Sequence, residues 1–436
     1  MGEMAEIIIE CISVLLTAAY LVIVISFIRG WNRLKTPALT ETATPEAALP
    51  ETATPETASL EAASSETAGI EAALPKQRFS TRVSVLIAAR DEEKAIGRCL
   101  AAIFSQHYPS ELFEVIVIDD HSTDRTAEVV RSFQRPAGTV PGPRLGPEAG
   151  TAHEPRPELR LMRMNEHKPI NSYKKKAIAQ AIQVAKGDLI VTTDADCWMG
   201  PDWLPSIVSA YEEHGYKLIS SPVAFAEEKS LFERLQSLEF MYLIGLGASA
   251  IGNAFPSTCN GANLAYTREV FFQVDGFKGI DDLASGDDEL LLHKVAALYY
   301  NKIGFIKSRQ AIVYTHAKAN LREFLDQRKR WASKSIKYRN KLVVALGLAV
   351  YFFNVFLLLN GCLTLFNFNF ALPLLGMFGL KLLIETVFLY FLGNFFRRLP
   401  LLIWMPVLNV LHIFYIVYIG LAGQRRSYRW KGRQVR

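Results

Sequence analysis

Apolar residues form long runs at the two ends of the chain and shorter runs between them. Residues 7–28, IIIECISVLLTAAYLVIVISFI, are almost continuously apolar and long enough to cross a bilayer as a helix. Residues 341–366, 370–392 and 400–422 have the same character. The pattern therefore predicts an N-terminal transmembrane helix and a C-terminal membrane region.

Short apolar runs alternate with helical segments in the middle of the chain. VSVLIAAR (83–90), FEVIVIDD (113–120), ELRLMRM (158–164) and DLIVTTDAD (188–196) have the composition of buried strands, and KKKAIAQAIQVAKG (174–187) is typical of a helix. Repeated units of this kind predict an α/β domain with a doubly wound, mostly parallel sheet. Ligands bind such sheets at the carboxyl ends of the strands.

Charge around the first apolar run orients it in the membrane. Glu3 and Glu6 precede the run, whereas Arg29, Arg33 and Lys35 follow it. Basic residues flank membrane helices on the cytoplasmic side, so we expect an inner-membrane protein whose next domain faces the cytoplasm. The run has no basic segment before it and no small-residue cleavage site after it, which argues against a cleaved signal peptide.

The basic tail QRRSYRWKGRQVR (424–436) conflicts with three C-terminal crossings. Three crossings from a cytoplasmic domain would put the tail outside the cell, against the charge rule. Either the tail is outside, or one segment does not cross the bilayer. PLLIWMPVLNVLHIFY, which contains Pro400, Pro406 and His412, is the candidate for a re-entrant or interfacial segment.

Two internal segments have the composition of linkers. Residues 41–75 repeat with a period of about ten, are rich in Glu, Ala, Thr and Pro, and contain no aromatic residue. Such a segment cannot bury enough apolar surface to offset its ordering entropy. We therefore expect an anchor at 1–35, a disordered acidic linker at 36–79, a cytoplasmic catalytic domain at 80–335 with an insert at 135–158, a C-terminal membrane region at 336–423 and the tail at 424–436.

Composition narrows the class further. Half of the residues are hydrophobic, and the mean hydropathy of +0.14 is high for a soluble enzyme. The five cysteines form no CxxC pair, which argues against a zinc knuckle or a disulfide framework. The net charge of +5 is concentrated beside the apolar runs, so we expect a membrane and no nucleic acid as partner. Lys381 and Glu385, four apart, can pair on one face of a membrane helix.

The strand at 188–196 ends in two acids, Asp194 and Asp196, one residue apart. Hard carboxylate oxygens suit Mg²⁺ or Mn²⁺ carrying a diphosphate. For an isolated pair of this kind, a solvated turn or a helix cap would be the preferred interpretation, but the upstream motifs favour a metal site here. We interpret the neighbouring Cys197 and Trp198 as packing residues.

Three more polar clusters are candidates for chemistry. Asp119 and Asp120 end the second strand and can accept hydrogen bonds from a base or a ribose. Asp287 and Asp288 precede an amphipathic helix, where a carboxylate can take a proton from a hydroxyl or simply complement the helix dipole. QRKRW (327–331) combines bases that can clamp a diphosphate with a tryptophan, or it anchors the chain at the membrane interface.

Taken together and in order, these motifs carry a family resemblance. Over roughly residues 80–335 the chain resembles membrane-bound family 2 glycosyltransferases with a GT-A fold, through VSVLIAARDEE, VIVIDDHSTD, KKKAI, TTDADCWMGPDW, CNGANLAYTREVF, GDDELL and QRKRW. The resemblance implies an inverting enzyme that uses a nucleotide sugar and a divalent metal, Mg²⁺ or Mn²⁺.

The resemblance also assigns roles to residues. It implies a base at Asp287 or Asp288 and an acceptor contact at Trp331. It implies that Asp194 and Asp196 hold the metal and the diphosphate. The implied donor-binding residues, with one or the other of two adjacent lysines, are Ala89, Glu92, Asp120, Lys174, Lys175, Asp194, Asp196, Gln327 and Arg330.

Two positions depart from the family pattern. The usual Glu-Asp before the helix is Asp287-Asp288 here, so two registers fit the base. The polar residue that usually precedes the acid of the first-strand motif is replaced by AAR, at 88–90. This replacement weakens the nucleoside assignment of that strand.

Three functions are compatible with this sequence. The leading hypothesis is transfer of one sugar from a UDP-sugar to a membrane lipid or lipid-linked glycan. A processive polysaccharide synthase is the alternative that QRKRW favours, although the few C-terminal spans argue against a polymer channel. A membrane scaffold that binds a sugar nucleotide without turnover is the third.

Overall fold

The computed structural model describes residues 3–35, 79–134, 156–164, 170–283, 285–334, 338 and 340–422, and the backbone of 428–430 and 433–435. The predicted linker at 36–79 lies almost wholly outside the described residues, as does most of the predicted insert at 135–158. The described strands are β1 (Val83–Ala89), β2 (Phe113–Asp119), β3 (Glu158–Arg163), β4 (Leu189–Asp194), β5 (Trp198–Met199), β6 (Leu218–Ser220), β7 (Val223–Phe225), β8 (Leu264–Thr267), β9 (Ile303–Phe305), β10 (Val313–Thr315), β11 (Tyr428–Trp430) and β12 (Arg433–Val435).

Twelve helices accompany these strands in the described part of the chain. Their bounds are α1 (Glu3–Arg33), α2 (Ile96–Phe104), α3 (Thr126–Phe133), α4 (Tyr173–Val184), α5 (Trp203–His214), α6 (Leu231–Gly252), α7 (Arg268–Gln273), α8 (Glu289–Tyr299), α9 (Leu321–Ser333), α10 (Lys341–Thr364), α11 (Ala371–Phe395) and α12 (Met405–Ala422). The element order alternates strand and helix through the first half of the central region, as the sequence predicts.

A seven-stranded sheet with the order β3-β2-β1-β4-β8-β6-β9 forms the core. Parallel pairing joins β3, β2, β1 and β4 in that order, whereas β8 runs antiparallel to both β4 and β6. β2 is buried along its whole length, as a strand covered on both faces should be. The predicted α/β class and the four predicted strands are confirmed. The antiparallel insertion of β8 was not predicted.

Register brings the ends of three strands to one edge of the sheet. Ala89 pairs with Asp119 across β1 and β2, and Ala88 pairs with Asp194 across β1 and β4. Strand β8 runs antiparallel to β4, so its carboxyl end lies at the opposite edge of the sheet. The acids that the sequence puts at two strand ends therefore lie at the same edge, on either side of β1.

Four apolar helical segments in the described residues are long enough to cross a membrane. They are Glu3–Arg33, Lys341–Thr364, Phe368–Phe395 and Leu399–Ala422, which agree with the four predicted runs. The last begins with six residues of 3₁₀-helix, where Pro400 lies in the first turn. Helix α6 is mostly apolar, with no single apolar stripe, and packs against α1 and α11.

The ends of the last apolar segment both contact the α/β region. At its start, Arg398 Nη1 lies 3.2 Å from Glu228 Oε2. Near its end, the Lys329 ammonium of α9 lies 5.4 Å from the ring centroid of Tyr418. Strand β11 pairs with β12 and lies beside α9. The segment thus begins and ends near the same part of the protein.

Candidate active site

The loops that leave β1 and β2 are bonded to one another at the strand edge. Asp91 and His121 have left-handed backbones, with φ of +49° and +53°. Asp91 Oδ1 accepts a hydrogen bond from the Thr123 amide at 2.7 Å, and the Asp91 amide donates to Ser122 Oγ at 3.1 Å. Non-glycine residues adopt this conformation mostly where the surroundings enforce it, commonly at functional sites. These bonds hold the two loops together around Asp120.

Asp120 is buried between these loops, and Arg90 lies beside it. Arg90 Nη1 donates to the Asp120 carbonyl oxygen at 2.8 Å and lies 4.0 Å from the Asp120 carboxylate. Ala89 accepts the Asp120 amide at 2.8 Å, and Glu92 begins the turn into α2. The three predicted nucleoside residues are therefore adjacent. Arg90 belongs to the AAR segment that departs from the family pattern, and its guanidinium places a positive charge beside Asp120.

Lys174 connects the strand edge to the acidic pair before α8. Its ammonium lies 2.6 Å from Asp194 Oδ1 and 3.1 Å from Asp287 Oδ2. Burial lowers the pKa of Lys174, but the two carboxylates outweigh burial and raise that pKa above its usual range. A permanently charged ammonium therefore joins two motifs that are more than 90 residues apart.

Lys175, the next residue, has a different environment. Its ammonium donates to the carbonyl oxygens of Ile280, Leu283 and Ser285 at 2.6 to 2.8 Å. Burial lowers the pKa of Lys175 to about 8, although three carbonyl acceptors suit the charged form. Lys174 and Lys175 are the alternatives that the resemblance leaves for the donor site, and Lys174 is the one that contacts Asp194 and Asp287. Lys175 holds the loop that leads to Asp287.

Asp194, Asp196 and Cys197 each offer one ligand atom, and these atoms all lie within 4.8 Å of one another. The two carboxylates are hard oxygen donors that suit Mg²⁺ or Mn²⁺. The Cys197 thiol is buried, and burial raises its pKa well above the usual range, so it stays protonated. The residues therefore fit a hard divalent cation held by the two aspartates, with Cys197 as a packing residue.

Asp288 caps helix α8. Its carboxylate accepts the Glu289 amide at 2.6 Å and the Gly261 amide at 3.1 Å, and Lys334 Nζ lies 3.6 Å away. Burial raises the pKa of Asp288, but Lys334 and the two amides outweigh it, so the net pKa is lowered. A β-carbon on Gly261 would lie 3.2 Å from Asp287 Oδ2 and 3.3 Å from Asp288 Cβ, which explains glycine there.

Helix α9 carries the QRKRW motif. Its residues Gln327, Arg330 and Trp331 line a large cavity that the strand-edge acids also line. Arg328 is the buried member: its guanidinium forms an ion pair with Glu239 of α6 and lies 4.3 Å from the centroid of Trp331. Sequence reasoning did not single out Arg328 or Glu239, because the partner lies 89 residues away.

One cavity of about 2030 Å³ connects these groups with the membrane helices. Its wall includes the strand-edge residues, the acidic pair, α9 and side chains from the long apolar helices. Among the residues that line it are Ala89, Glu92, Asp120, Lys174, Asp194, Asp196, Asp287, Asp288, Gln327, Arg330, Trp331, Tyr20, Glu385 and His412. All but one of the predicted site residues therefore face one space, and Lys175 is the exception.

Comparison with known families decides the class. The model of glycosyl transferase family 21 matches residues 151–436, about two thirds of the chain, and the model of glycosyl transferase family 2 matches residues 84–145. The chain belongs to glycosyl transferase family 21. The family 2 match covers the first two strands, in agreement with the resemblance drawn from the motifs.

Relatives and solved structures agree with this glycosyltransferase assignment. The chain is 26% identical over 282 residues to the "Probable glycosyltransferase YdaM" of Bacillus subtilis, covering 62% of this chain and 58% of that protein. It is 25% identical over 150 residues to the beta-monoglucosyldiacylglycerol synthase of a Nostoc species, covering 34% of this chain and 28% of that protein. The chain thus spans little more than half of the first relative and less than a third of the second.

Among solved structures, this glycosyltransferase is similar to the mannosyltransferase PcManGT from Pyrobaculum calidifontis. That structure holds GDP-Man and Mn²⁺, and the match covers 92% of this chain and 99% of that chain at 18% identity, with a TM-score of 0.51. At this identity the likeness shows the fold alone. It confirms the GT-A fold.

Proposed function

We propose that this glycosyltransferase moves one sugar from a UDP-sugar to a lipid or lipid-linked acceptor that enters from the membrane. One observation carries the proposal: a single cavity is lined both by the strand-edge acids and by the long apolar helices. A water-soluble donor and a membrane acceptor need such a common space. Names of relatives support it, since one is a monoglucosyldiacylglycerol synthase and another an undecaprenyl-phosphate transferase.

The donor is proposed to lie across the strand edge. Asp120, with Ala89 and Glu92, would face the nucleoside, since carboxylates accept from base N–H and ribose hydroxyl groups. Lys174 and Arg330 would face the diphosphate, because cations make the strongest hydrogen bonds to phosphate oxygens. The family resemblance supports a UDP-sugar.

Asp194 and Asp196 are proposed to hold Mg²⁺ or Mn²⁺. When bound, the metal supplies positive charge next to the diphosphate of the donor. Lys174 is hydrogen-bonded to Asp194 and is itself charged, so this side chain stabilises the same negative charge from the protein side. Gln327, on the QRKRW helix, would contribute an amide to that part of the cavity.

The proposed reaction is a single displacement with inversion. A carboxylate takes the proton of the acceptor hydroxyl as its oxygen attacks the anomeric carbon. The new carbon–oxygen bond forms as the bond between that carbon and the diphosphate oxygen breaks. The electron pair leaves with the nucleoside diphosphate, where Lys174 and Arg330 stabilise the developing charge.

Asp288 is the better candidate for the base, and Asp287 for the donor side. Asp287 shares Lys174 with Asp194, which ties its carboxylate to the diphosphate region. Asp288 is oriented by two backbone amides at the start of α8 and lies 3.6 Å from Lys334 Nζ. A fixed, ionised carboxylate is ready to accept a proton from a hydroxyl.

Trp331 is proposed to contact the acceptor. It lines the cavity and packs against Phe240 of α6, at 6.0 Å between ring centroids.

We propose three main domains: an anchor at 1–35, a catalytic domain at 80–335 and a membrane region at 336–423. We further propose that the catalytic domain faces the cytoplasm from the inner membrane.

The test uses the full chain in lipid nanodiscs. A panel of nucleotide sugars is supplied with a total lipid extract, and both nucleotide release and glycosylated lipid are measured. We expect release from a UDP-sugar that requires lipid and a divalent cation and gives a product with one added sugar. A polymeric product would instead indicate a processive synthase. Nucleotide binding without release for any donor would indicate a scaffold.

A further inference from the structure

A buried ion pair lies beside the acidic pair that precedes α8. Lys334, which directly follows α9, places its ammonium 2.5 Å from Oε2 of Glu289, the first residue of α8. The same ammonium lies 3.6 Å from Asp288 Oδ1. The Tyr338 hydroxyl donates to the other carboxylate oxygen of Glu289. We call Glu289, Lys334 and Tyr338 the base-support cluster, and all three line the cavity together with Asp288.

The cluster shares one positive charge between two carboxylates. Glu289 and Lys334 are buried, with relative exposures of 3% and 9%. Buried charges are tolerated only when each has a partner. Burial lowers the pKa of Lys334, but Asp288 and Glu289 outweigh burial and raise that pKa well above its usual range. The ammonium therefore stays charged, and it serves both acids.

The ammonium contacts the two acids in different ways. At 2.5 Å it is hydrogen-bonded to Glu289, whereas 3.6 Å is too long for a hydrogen bond to Asp288. Lys334 therefore acts on Asp288 through its charge alone. Each Asp288 oxygen accepts one backbone amide, from Glu289 at 2.6 Å and from Gly261 at 3.1 Å. Because a carboxylate has about four acceptor sites, Asp288 keeps room for the proton of a hydroxyl.

The other ionisable groups nearby do not replace this charge. Those that face Asp288 or its partners are Asp287, Lys174, Lys175, Cys259, His293 and Tyr338. Lys174 is bonded to Asp194, and it lowers the pKa of Asp288 by less than Lys334 does. The Lys175 ammonium is held by three backbone carbonyl oxygens. Among the described residues, Lys334 is thus the cation closest in effect to Asp288.

This inference rests on the glycosyl transfer proposed above, with Asp288 as its base. We infer that Lys334 and Glu289 are positioning residues for that base. Lys334 keeps the Asp288 carboxylate ionised, and Glu289 holds the Lys334 ammonium too far from that carboxylate to occupy it with a hydrogen bond. Neither Lys334 nor Glu289 takes part in the bond changes. Because Lys334 directly follows α9, the helix that carries the QRKRW motif also supports the base.

A single variant tests the role of Glu289. Glu289→Gln leaves Asp288 as the described carboxylate partner of Lys334, so the ammonium should bond to the base directly. We expect kcat to fall about 10- to 100-fold at every pH, the worth of a hydrogen bond to a charged group. The acidic limb of the pH profile should not move to higher pH, because the cation is still present. The KM for the donor should not change, since Asp194 and Lys174 are untouched.

A double variant tests the charge of Lys334. Glu289→Gln combined with Lys334→Met removes both charges, so no buried ion is left unpaired. Without the nearby cation the pKa of Asp288 rises, and its carboxylate is ionised only at higher pH. The acidic limb of kcat/KM should therefore move about 1 to 3 units to higher pH, the usual effect of an opposite charge at this distance. Above that limb, the double variant should be more active than Glu289→Gln alone.

Two further variants are controls. Lys294 of α8 donates to the carbonyl oxygens of Gly276 and Lys278 at 2.6 and 2.9 Å, away from the cavity. Lys294→Met removes a lysine that bonds only to the backbone in these contacts, so it should keep the wild-type pH profile. Lys334→Arg keeps the positive charge, so it should keep the wild-type acidic limb. The Tm of every variant is measured to check folding.

All variants are assayed as full chains in nanodiscs that contain a total lipid extract. The nucleotide sugar that the donor panel selects is supplied with a saturating divalent cation at each pH. An acidic limb of the double variant that coincides with wild type would overturn the inference. A double variant as inactive as Glu289→Gln at every pH would also overturn it and make Glu289 a candidate base. Absence of transfer by the wild type, with nucleotide binding intact, would overturn the proposed function and the inference with it.

Discussion

The Lys174 ammonium lies 2.6 Å from Asp194 Oδ1, at the edge where the parallel strands end. The same ammonium lies 3.1 Å from Asp287. This arrangement makes the metal motif and the acidic pair a single electrostatic unit. A change at Lys174, Asp194 or Asp287 should therefore alter the kinetics with the donor.

Replacing Lys174 tests this unit directly. Lys174→Met leaves Asp194 and Asp287 without their shared cation, so we expect donor kcat/KM to fall about 10- to 100-fold, the worth of a hydrogen bond to a charged group. Lys176 is exposed on the same helix, and Lys176→Met is the matched control. Steady-state kinetics with varied donor measures both. Equal effects in the two variants would remove Lys174 from the site.

Metal removal tests the aspartate pair. We expect EDTA to abolish transfer and Mg²⁺ or Mn²⁺ to restore it, and Asp196→Ala to abolish turnover without lowering the Tm. Asp202, eight residues after Asp194, pairs with His107 at the start of α5, so Asp202→Ala serves as the control acid. Full activity in excess EDTA would contradict the assignment.

The acidic pair should divide its roles. Asp288→Asn keeps a side-chain oxygen for capping α8 but removes the proposed base, so turnover should fall about 10²–10⁴-fold while UDP affinity stays near normal. Asp287→Asn weakens the contact with Lys174, so it should raise the donor KM. Turnover and UDP affinity are measured for both variants. The reverse pattern would exchange the two roles, and two near-normal variants would leave Glu289 as the next candidate.

Two arginines on α9 should behave differently. Arg328→Ala removes a buried guanidinium and leaves Glu239 unpaired, which typically costs about 3–5 kcal/mol, so the Tm in detergent should fall clearly. Arg330→Ala should keep the Tm and lose transfer, because Arg330 is proposed to face the diphosphate. Thermal unfolding and transfer rates of the pair decide this. A stable but inactive Arg328→Ala would contradict the structural role.

The basic tail should lie on the same side of the membrane as the catalytic region. Both ends of the Leu399–Ala422 segment contact that region, and β11 lies beside α9. In a background without exposed cysteines, we expect an impermeant thiol reagent to label Gln434→Cys and Glu128→Cys from one side. Asn369→Cys, between α10 and α11, should be labelled from the other. Labelling of Gln434→Cys together with Asn369→Cys would show three full crossings.

The strand edge could be predicted from the sequence because its signals are local. Continuous Val and Ile runs that end in acids predict buried parallel strands, and parallel strands align their ends. The pairing of Lys381 with Glu385 was predicted for the same reason, since a spacing of four places two side chains on one face of a helix.

Long-range partners could not be predicted in this way. Lys174 and Lys175 are equivalent to any local rule, and only the loop at 280–285 separates their environments. Arg328 and Arg330 differ through Glu239, which lies on α6. Helix α6 itself was missed because its apolar residues follow no single stripe, so its packing against α1 and α11 left no period in the sequence.

The bond between Tyr20 and Glu385 joins residues 365 positions apart, which sets an order of events during synthesis. At about 5–20 residues per second, a ribosome needs roughly 20 to 70 s to make Glu385 after Tyr20. During that interval α1 waits in the bilayer. Thr17 bonds to a carbonyl oxygen of its own helix, whereas Ser13 also accepts a hydrogen bond from Asn360, so Tyr20 and Ser13 both gain partners only when the C-terminal helices are made. The catalytic region is therefore made before the last wall of its cavity exists.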